Sequence, residues 1–138
     1  RKGTPAGSRR GLIVPTAWHS RPGPALVVEG ASDVATGETL GWSSVGRPSN
    51  AGGGDALATL VDGRDVLVLG ENDAKDSGLW PGRDAAKTVA QRLASERGEP
   101  VRWALPPRSI LGGWAIGRNA SPVVIRTATP KQPTLSPL

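Results

Sequence analysis

Short apolar runs alternate with longer amphipathic segments through the middle of the chain. The predicted strands cover 25–29, 42–45, 65–69 and 101–105. The predicted helices cover 32–40, 56–61 and 83–97. The last of these helices has apolar residues at 3.6-residue spacing and ends at a glycine, Gly98. A strand–helix unit repeated three times and closed by a strand predicts an α/β fold, with about four parallel strands and helices on both faces.

The two ends of the chain lack this alternation. Residues 1–24 contain a small, basic segment and a connection rich in turn-formers, with 11–15 as a short edge strand. We therefore expect a basic N-terminal arm and connection at 1–24 and the α/β domain at 25–107. Residues 108–138 have no clear period, and we expect disorder from residue 126 onward. Because position 1 is not Met, we expect a fragment of a longer protein.

Composition restricts the chemistry that this chain can perform. It has no Cys and no Tyr, and only one His, which excludes disulfides, thiolate metal sites and cysteine nucleophiles. Any acid–base or metal chemistry must therefore rest on carboxylates. The apolar runs are too short to span a membrane, so we expect a cytoplasmic protein without a membrane partner.

The net charge of +5 hides an uneven distribution. All 12 acidic residues lie between Glu29 and Glu99, where only seven basic residues occur, so this segment carries a net charge of −5. The flanks hold the remaining ten basic residues and no acid. An acidic centre is what a divalent-cation site would produce.

Several of these acids follow predicted strands. Glu29 ends the first strand, Glu71 and Asp73 follow the third, and Asp76 comes three residues later. Asp33 would lie in the first turn of the next helix. Because ligands of open parallel sheets bind beyond the carboxyl ends of the strands, these acids could together hold Mg²⁺. Each one taken singly is as well explained by helix capping or by a polar loop.

Basic and aromatic residues accompany the acids. Arg47, Lys75 and Arg83 lie in or beside the same loops, where they could bind nucleotide phosphates or offset the carboxylates. Trp80 could stack on a nucleic-acid base, although packing under its loop is the simpler role. The glycines at 52–54 lack the following Gly-Lys-Ser/Thr of a phosphate loop and predict a turn.

Four segments resemble the TOPRIM domain of bacterial and phage primases, including primase-like proteins of mobile elements. They are VVEGASD at 27–33, SVGRPSN at 44–50, GEND at 70–73 and PGRDAA at 81–86. The resemblance covers about residues 11–107 and implies a four-stranded parallel, Rossmann-like sheet. It also implies Mg²⁺-dependent nucleotidyl transfer, with Mn²⁺ as a substitute. Glu29 then matches the acid–base carboxylate, Glu71 and Asp73 the metal-binding pair, and Asp33 and Asp76 are helpers.

The resemblance implies partners as well. In the family, primers are made from nucleoside triphosphates on single-stranded DNA, and the full-length protein could act beside a replicative helicase. Two departures stand out: Glu71 replaces the usual Asp, and a Lys-Asp segment expected after Pro107 is missing. The alternatives are a non-catalytic scaffold that binds metal or nucleic acid, and a nuclease or topoisomerase module.

Overall fold

Five strands form a single sheet in the computed structural model, which describes residues 11–48, 53–106 and 124–131. The strands are β1 (Ala25–Glu29), β2 (Ser43–Arg47), β3 (Val66–Leu69), β4 (Val101–Ala104) and β5 (Ile125–Ala128). Their order across the sheet is β2-β1-β3-β4-β5. The first four strands are parallel, and β5 pairs antiparallel with β4. The predicted α/β class is therefore confirmed, with a mostly parallel sheet.

Three helices cover the two faces of this sheet: α1 (Gly30–Thr39), α2 (Gly54–Leu60) and α3 (Pro81–Arg97). Val34 of α1 packs in a small cluster on one face with Val28. Leu57 of α2 and Leu93 of α3 belong to the larger cluster on the other face, which contains Val27. Neighbouring strand residues thus serve opposite faces, as the pleat requires. Within the described ranges, every helix is too short or too polar to cross a membrane.

The observed elements are longer than predicted at four points. Each of the three helices begins two residues early, α1 at Gly30, α2 at Gly54 and α3 at Pro81. Proline suits the first helical turn, where a backbone N–H would have no partner within the helix. β2 continues to Arg47 because all five of its residues pair with β1. The local pattern of apolar residues carries no information on strand pairing, so the predicted strand ends at Val45.

The connection before β1 packs against the sheet. Ile13 exchanges two backbone hydrogen bonds of 2.9 Å with Gly46 and so protects the outer edge of β2. A 3₁₀ helix (Thr16–His19) follows and places Trp18 in the core with 3% of its surface exposed. The guanidinium of Arg64 lies 4.3 Å from the centre of the Trp18 ring. Segment 11–24 is thereby held at both ends.

Strand β5 corrects the predicted disorder at 126–128. It adds to the free edge of β4, and Ala128 is buried in the main core. The Arg126 guanidinium lies 5.8 Å from the centre of the Trp103 ring, so the strand is also held by its side chains. The predicted arm at 1–10, and residues 107–123 and 132–138 of the predicted C-terminal region, lie outside the described residues.

The burial of Trp18 gives a test of how far the connection before β1 contributes to the core. We expect Trp18→Ala to lower the free energy of unfolding by about 3–5 kcal/mol, because it removes a large buried side chain. Trp42→Ala is the matched control, since Trp42 is 41% exposed, and should cost less than about 1 kcal/mol. Urea denaturation measures both. Equal losses would show that segment 11–24 does not contribute to the core.

Candidate functional site

The direction of chain winding reverses between β1 and β3. From β1 the chain passes through α1 to β2 on one side, whereas from β3 it passes through α3 to β4 on the other side. β1 and β3 are neighbours, with Val27 opposite Val68. In open parallel sheets such a reversal leaves a crevice at the carboxyl ends of the two strands, where ligands bind. Glu29 ends β1 and Glu71 follows β3, so both lie beside this crevice.

Two glycines bring the start of α3 against the end of β3. A side chain at Gly70 would lie 2.5 Å from the carbonyl oxygen of Gly82 and 2.7 Å from the Cβ of Ala86. A side chain at Gly82 would in turn overlap the backbone of Glu71. Because both contacts are closer than van der Waals distance, only glycine fits at either position. The loop after β3 is thus pressed against the N-terminus of α3.

Several acidic side chains act electrostatically on Glu29. Burial raises the pKa of its carboxyl group above the ordinary value of 4.5, and Arg47 opposes this rise. Repulsion from Glu71, Asp33 and Asp73 raises the pKa further, with Glu71 contributing the most among the three acids. The structure therefore places these three predicted residues near Glu29. Asp76 is exposed further along the loop and is not among the charges that perturb Glu29.

Arg47 is a fully buried cation, with 0% of its surface exposed. It is the register partner of Glu29 across β1 and β2. Burial lowers the pKa of the guanidinium, whereas the charge of Glu29 raises it. In this arrangement the side chain is not open to a phosphate in solution. Of the two roles that the sequence left open, the structure favours offsetting a carboxylate.

Asp73 is held by the helix that follows it. Its Oδ1 accepts a hydrogen bond of 2.8 Å from the backbone N–H of Gly82, in the first turn of α3. Its Oδ2 lies 3.3 Å from the Nζ of Lys75. A carboxylate at this position satisfies a free helix N–H and complements the helix dipole. The predicted metal ligand is therefore also a helix cap.

The other two predicted cations stand in the same loop and helix. Lys75 pairs with Asp73 and Arg83 pairs with Asp84, the latter at 2.8 Å. Both pairs partly offset local acids, yet the side chains of Lys75 and Arg83 remain 56% and 41% exposed. Unlike Arg47, they remain accessible to a ligand.

The donors at this edge suit a hard cation, because all of them are carboxylate oxygens. Among the described residues, however, no three acidic or histidine side chains are grouped closely enough to hold a metal ion. Mg²⁺ commonly binds one or two carboxylates and completes its shell with water and substrate phosphates. The site fits that mode, with the exposed Glu71 as the most accessible donor, and does not form an all-protein cage.

Sequence reasoning missed two contacts that organise the edge. Asn72 donates a hydrogen bond of 2.8 Å from Nδ2 to the carbonyl oxygen of Pro106, which ties the loop after β3 to the end of β4. The capping of α3 by Asp73 spans nine residues, far beyond the three-residue spacing of a capping box. Only the Pro-Gly pair at 81–82 marks this helix start in the sequence. Nothing in the sequence identifies Asn72.

The capping role of Asp73 generates a prediction. We expect Asp73→Ala to lower the free energy of unfolding by about 1 kcal/mol, measured in urea without divalent ions, because a helix N–H loses its acceptor. Asp73→Asn keeps an acceptor oxygen and should cost less. Asp76→Ala, an exposed acid of the same loop, is the control and should change little. If Asn costs as much as Ala, charge rather than capping explains the contribution of Asp73.

The raised pKa of Glu29 predicts a pH dependence. A raised pKa means that the folded state binds this proton more tightly than the unfolded chain does. The resulting stability is fully present below the ordinary pKa of 4.5 and is lost as pH rises through the folded pKa. Relative to Glu29→Gln, the wild type should therefore lose stability from about pH 4 upward. Urea denaturation from about pH 4 to 8 tests this, and a constant difference would contradict it.

Comparison with known proteins identifies no relative. No protein-family model matches the chain, and no curated protein or solved structure matches it either. The family resemblance therefore stands on its four sequence segments alone.

Proposed function

We propose that this chain carries the Mg²⁺-dependent nucleotidyl-transfer site of a TOPRIM-like domain from a DNA primase or primase-helicase. The observation that carries the proposal is the position of Glu29 beside the crevice between β1 and β3, where the charges of Asp33, Glu71 and Asp73 all act on it. Carboxylates that lie close together repel each other, which costs electrostatic free energy unless a cation or a proton is bound. Phosphoryl chemistry uses both.

Glu29 would act as the general acid–base. Its raised pKa brings the carboxyl group closer to neutral pH, where proton donation and acceptance are both effective. Burial is the main cause of the shift, and Arg47 limits it, so the group can still ionise. Glu29 would take the proton from an attacking hydroxyl or return it to a leaving oxygen.

Glu71 would be the principal ligand of Mg²⁺ or Mn²⁺, with Asp33 and Asp73 beside it and Asp76 as an outer helper. When bound, the cation supplies charge that polarises a phosphate for in-line displacement. Lys75 would hold a phosphate of the bound nucleotide or strand, and Arg83 is the second exposed cation beside it. The template would be single-stranded DNA and the substrates nucleoside triphosphates, bound by the full-length cytoplasmic protein, with a replicative helicase as a further partner.

A second candidate is a non-catalytic scaffold module that binds metal or nucleic acid. The observation in its favour is that Asp73 already pairs with the N–H of Gly82 and with Lys75. The described residues also lack a ready group of three ligands. A topoisomerase module is less well supported, because the chain has no Tyr for strand cleavage.

A metal titration tests the proposal. We expect Mg²⁺ or Mn²⁺ to raise the melting temperature of the wild type, because a cation relieves repulsion only in the folded state. At free metal about tenfold above Kd, the gain in unfolding free energy is about 1.4 kcal/mol. Glu71→Gln should remove most of this gain, and Asp73→Asn should reduce it. Differential scanning fluorimetry or tryptophan fluorescence measures the shifts.

Asp62→Asn is the matched control for these variants. Asp62 is an exposed acid in the turn before β3, at the opposite edge of the sheet, so its loss changes the net charge equally. It should leave the metal-dependent gain intact. If the wild type melts cooperatively and ignores both ions, the catalytic proposal fails and the scaffold is preferred.

A further inference from the structure

A partly exposed group of apolar and basic side chains lies beside the acidic edge, on the loop between β3 and α3 and the start of α3. We name it the loop platform and define it as Lys75, Leu79, Trp80 and Arg83. Its centre is the guanidinium of Arg83, which lies 4.9 Å from the centre of the Trp80 ring. Lys75 and Leu79 stand on the turn that precedes Trp80.

The guanidinium of Arg83 is fixed from two directions. One face lies over Trp80, and its Nε and one terminal nitrogen approach Oδ1 of Asp84 at 2.9 and 2.8 Å. Arg83 nevertheless remains 41% exposed along its side chain. A planar cation is thus held in place while part of it faces solvent, which lowers the entropy lost when a ligand stacks on it.

The turn beneath Leu79 is closed by its own backbone. The N–H of Lys75 donates to the carbonyl oxygen of Leu79 at 2.8 Å, and the N–H of Gly78 donates to Lys75 at 2.9 Å. Gly78 has a φ of 80°, which glycine adopts without strain. This closure holds Leu79 out of the core with 64% of its surface exposed. Core packing therefore does not account for the position of Leu79.

The loop platform is attached directly to the acidic edge. Its first cation, Lys75, pairs with Asp73, and Asp73 in turn caps α3 just before Arg83. A ligand on the platform would therefore lie next to the site formed around Glu29. Arg83 and the exposed Lys87 are four residues apart on α3 and extend the positive charge along one face of the helix.

We propose that the loop platform binds one nucleotide unit of a single-stranded nucleic acid, with its base stacked on Arg83 and its phosphate near Lys75. Bases of single strands stack on aromatic rings and on arginine planes, and lysines contact the phosphates. The proposal rests on the proposed function, since it assigns the strand to that same edge. The proposed ligand is a single strand. A free nucleotide has the same base and phosphate groups, so the experiment must distinguish the two.

Fluorescence anisotropy of a labelled 12-mer of deoxythymidine tests the platform, at low salt and without divalent ions. We expect Arg83→Ala to weaken binding about five- to tenfold. Arg92→Ala is the matched control: Arg92 lies on the same helix, pairs with acids and is 48% exposed. It should change binding by less than about twofold, since only the overall charge alters.

Arg83→Lys separates stacking from charge, because it keeps the cation and loses the plane. We expect it to bind about as weakly as Arg83→Ala. Binding restored to the wild-type level would overturn the stacking role. Absence of wild-type binding, or equal effects of Arg83→Ala and Arg92→Ala, would overturn the platform. Competition by thymidine triphosphate at concentrations equal to those of the 12-mer would assign the surface to free nucleotide instead.

The same variants separate this proposal from the proposed function. Arg83→Ala should leave the Mg²⁺-dependent rise in melting temperature intact, because Arg83 holds no metal. If metal has no effect but the 12-mer binds through Arg83, the platform stands and the catalytic proposal fails. If metal stabilises the protein and Arg83→Ala binds the 12-mer as tightly as the wild type does, the catalytic proposal stands and the platform fails.

Discussion

The parallel pairing of β1 on both of its sides is the constraint on which the rest of the structure depends. β1 is five residues long and hydrogen-bonds to β2 along its whole length and to β3 over three residues. Its side chains belong to both hydrophobic clusters, with Val27 on one face of the sheet and Val28 on the other. Because its neighbours run parallel to it, three strands end at one edge. A residue that ends β1 must therefore stand at that edge, beside whatever follows β3.

This geometry has an electrostatic cost, since it brings several carboxylates together. The structure offsets it in three ways. Arg47 is buried opposite the partly buried Glu29, and each charge favours the ionised form of the other. Asp73 is held by a helix N–H and by Lys75. Glu71 stays exposed, where water stabilises its charge. Contacts within the chain therefore offset part of the repulsion at this edge.

The sequence predicts the features that depend on regular patterns. Alternating runs indicate the parallel sheet, and the rule for strand ends places Glu29 near Glu71. Features that depend on pairing are not encoded locally. The last residues of β2 are strand only because β1 offers partners, and β5 is four residues with one buried side chain. Likewise, the turn-forming residues at 22–24 predict an exposed connection, whereas Trp18 in the same segment is part of the core.

The two unusual features of the edge explain each other. Asp73 faces the N-terminus of α3, which leaves less of its charge for a cation. Glu71 replaces the aspartate expected from the family resemblance and has one more methylene group. Glu71 is exposed, and among the acids it is the one that raises the pKa of Glu29 the most. Under the proposed function, the longer acid therefore takes over part of the metal binding that a capping Asp73 gives up.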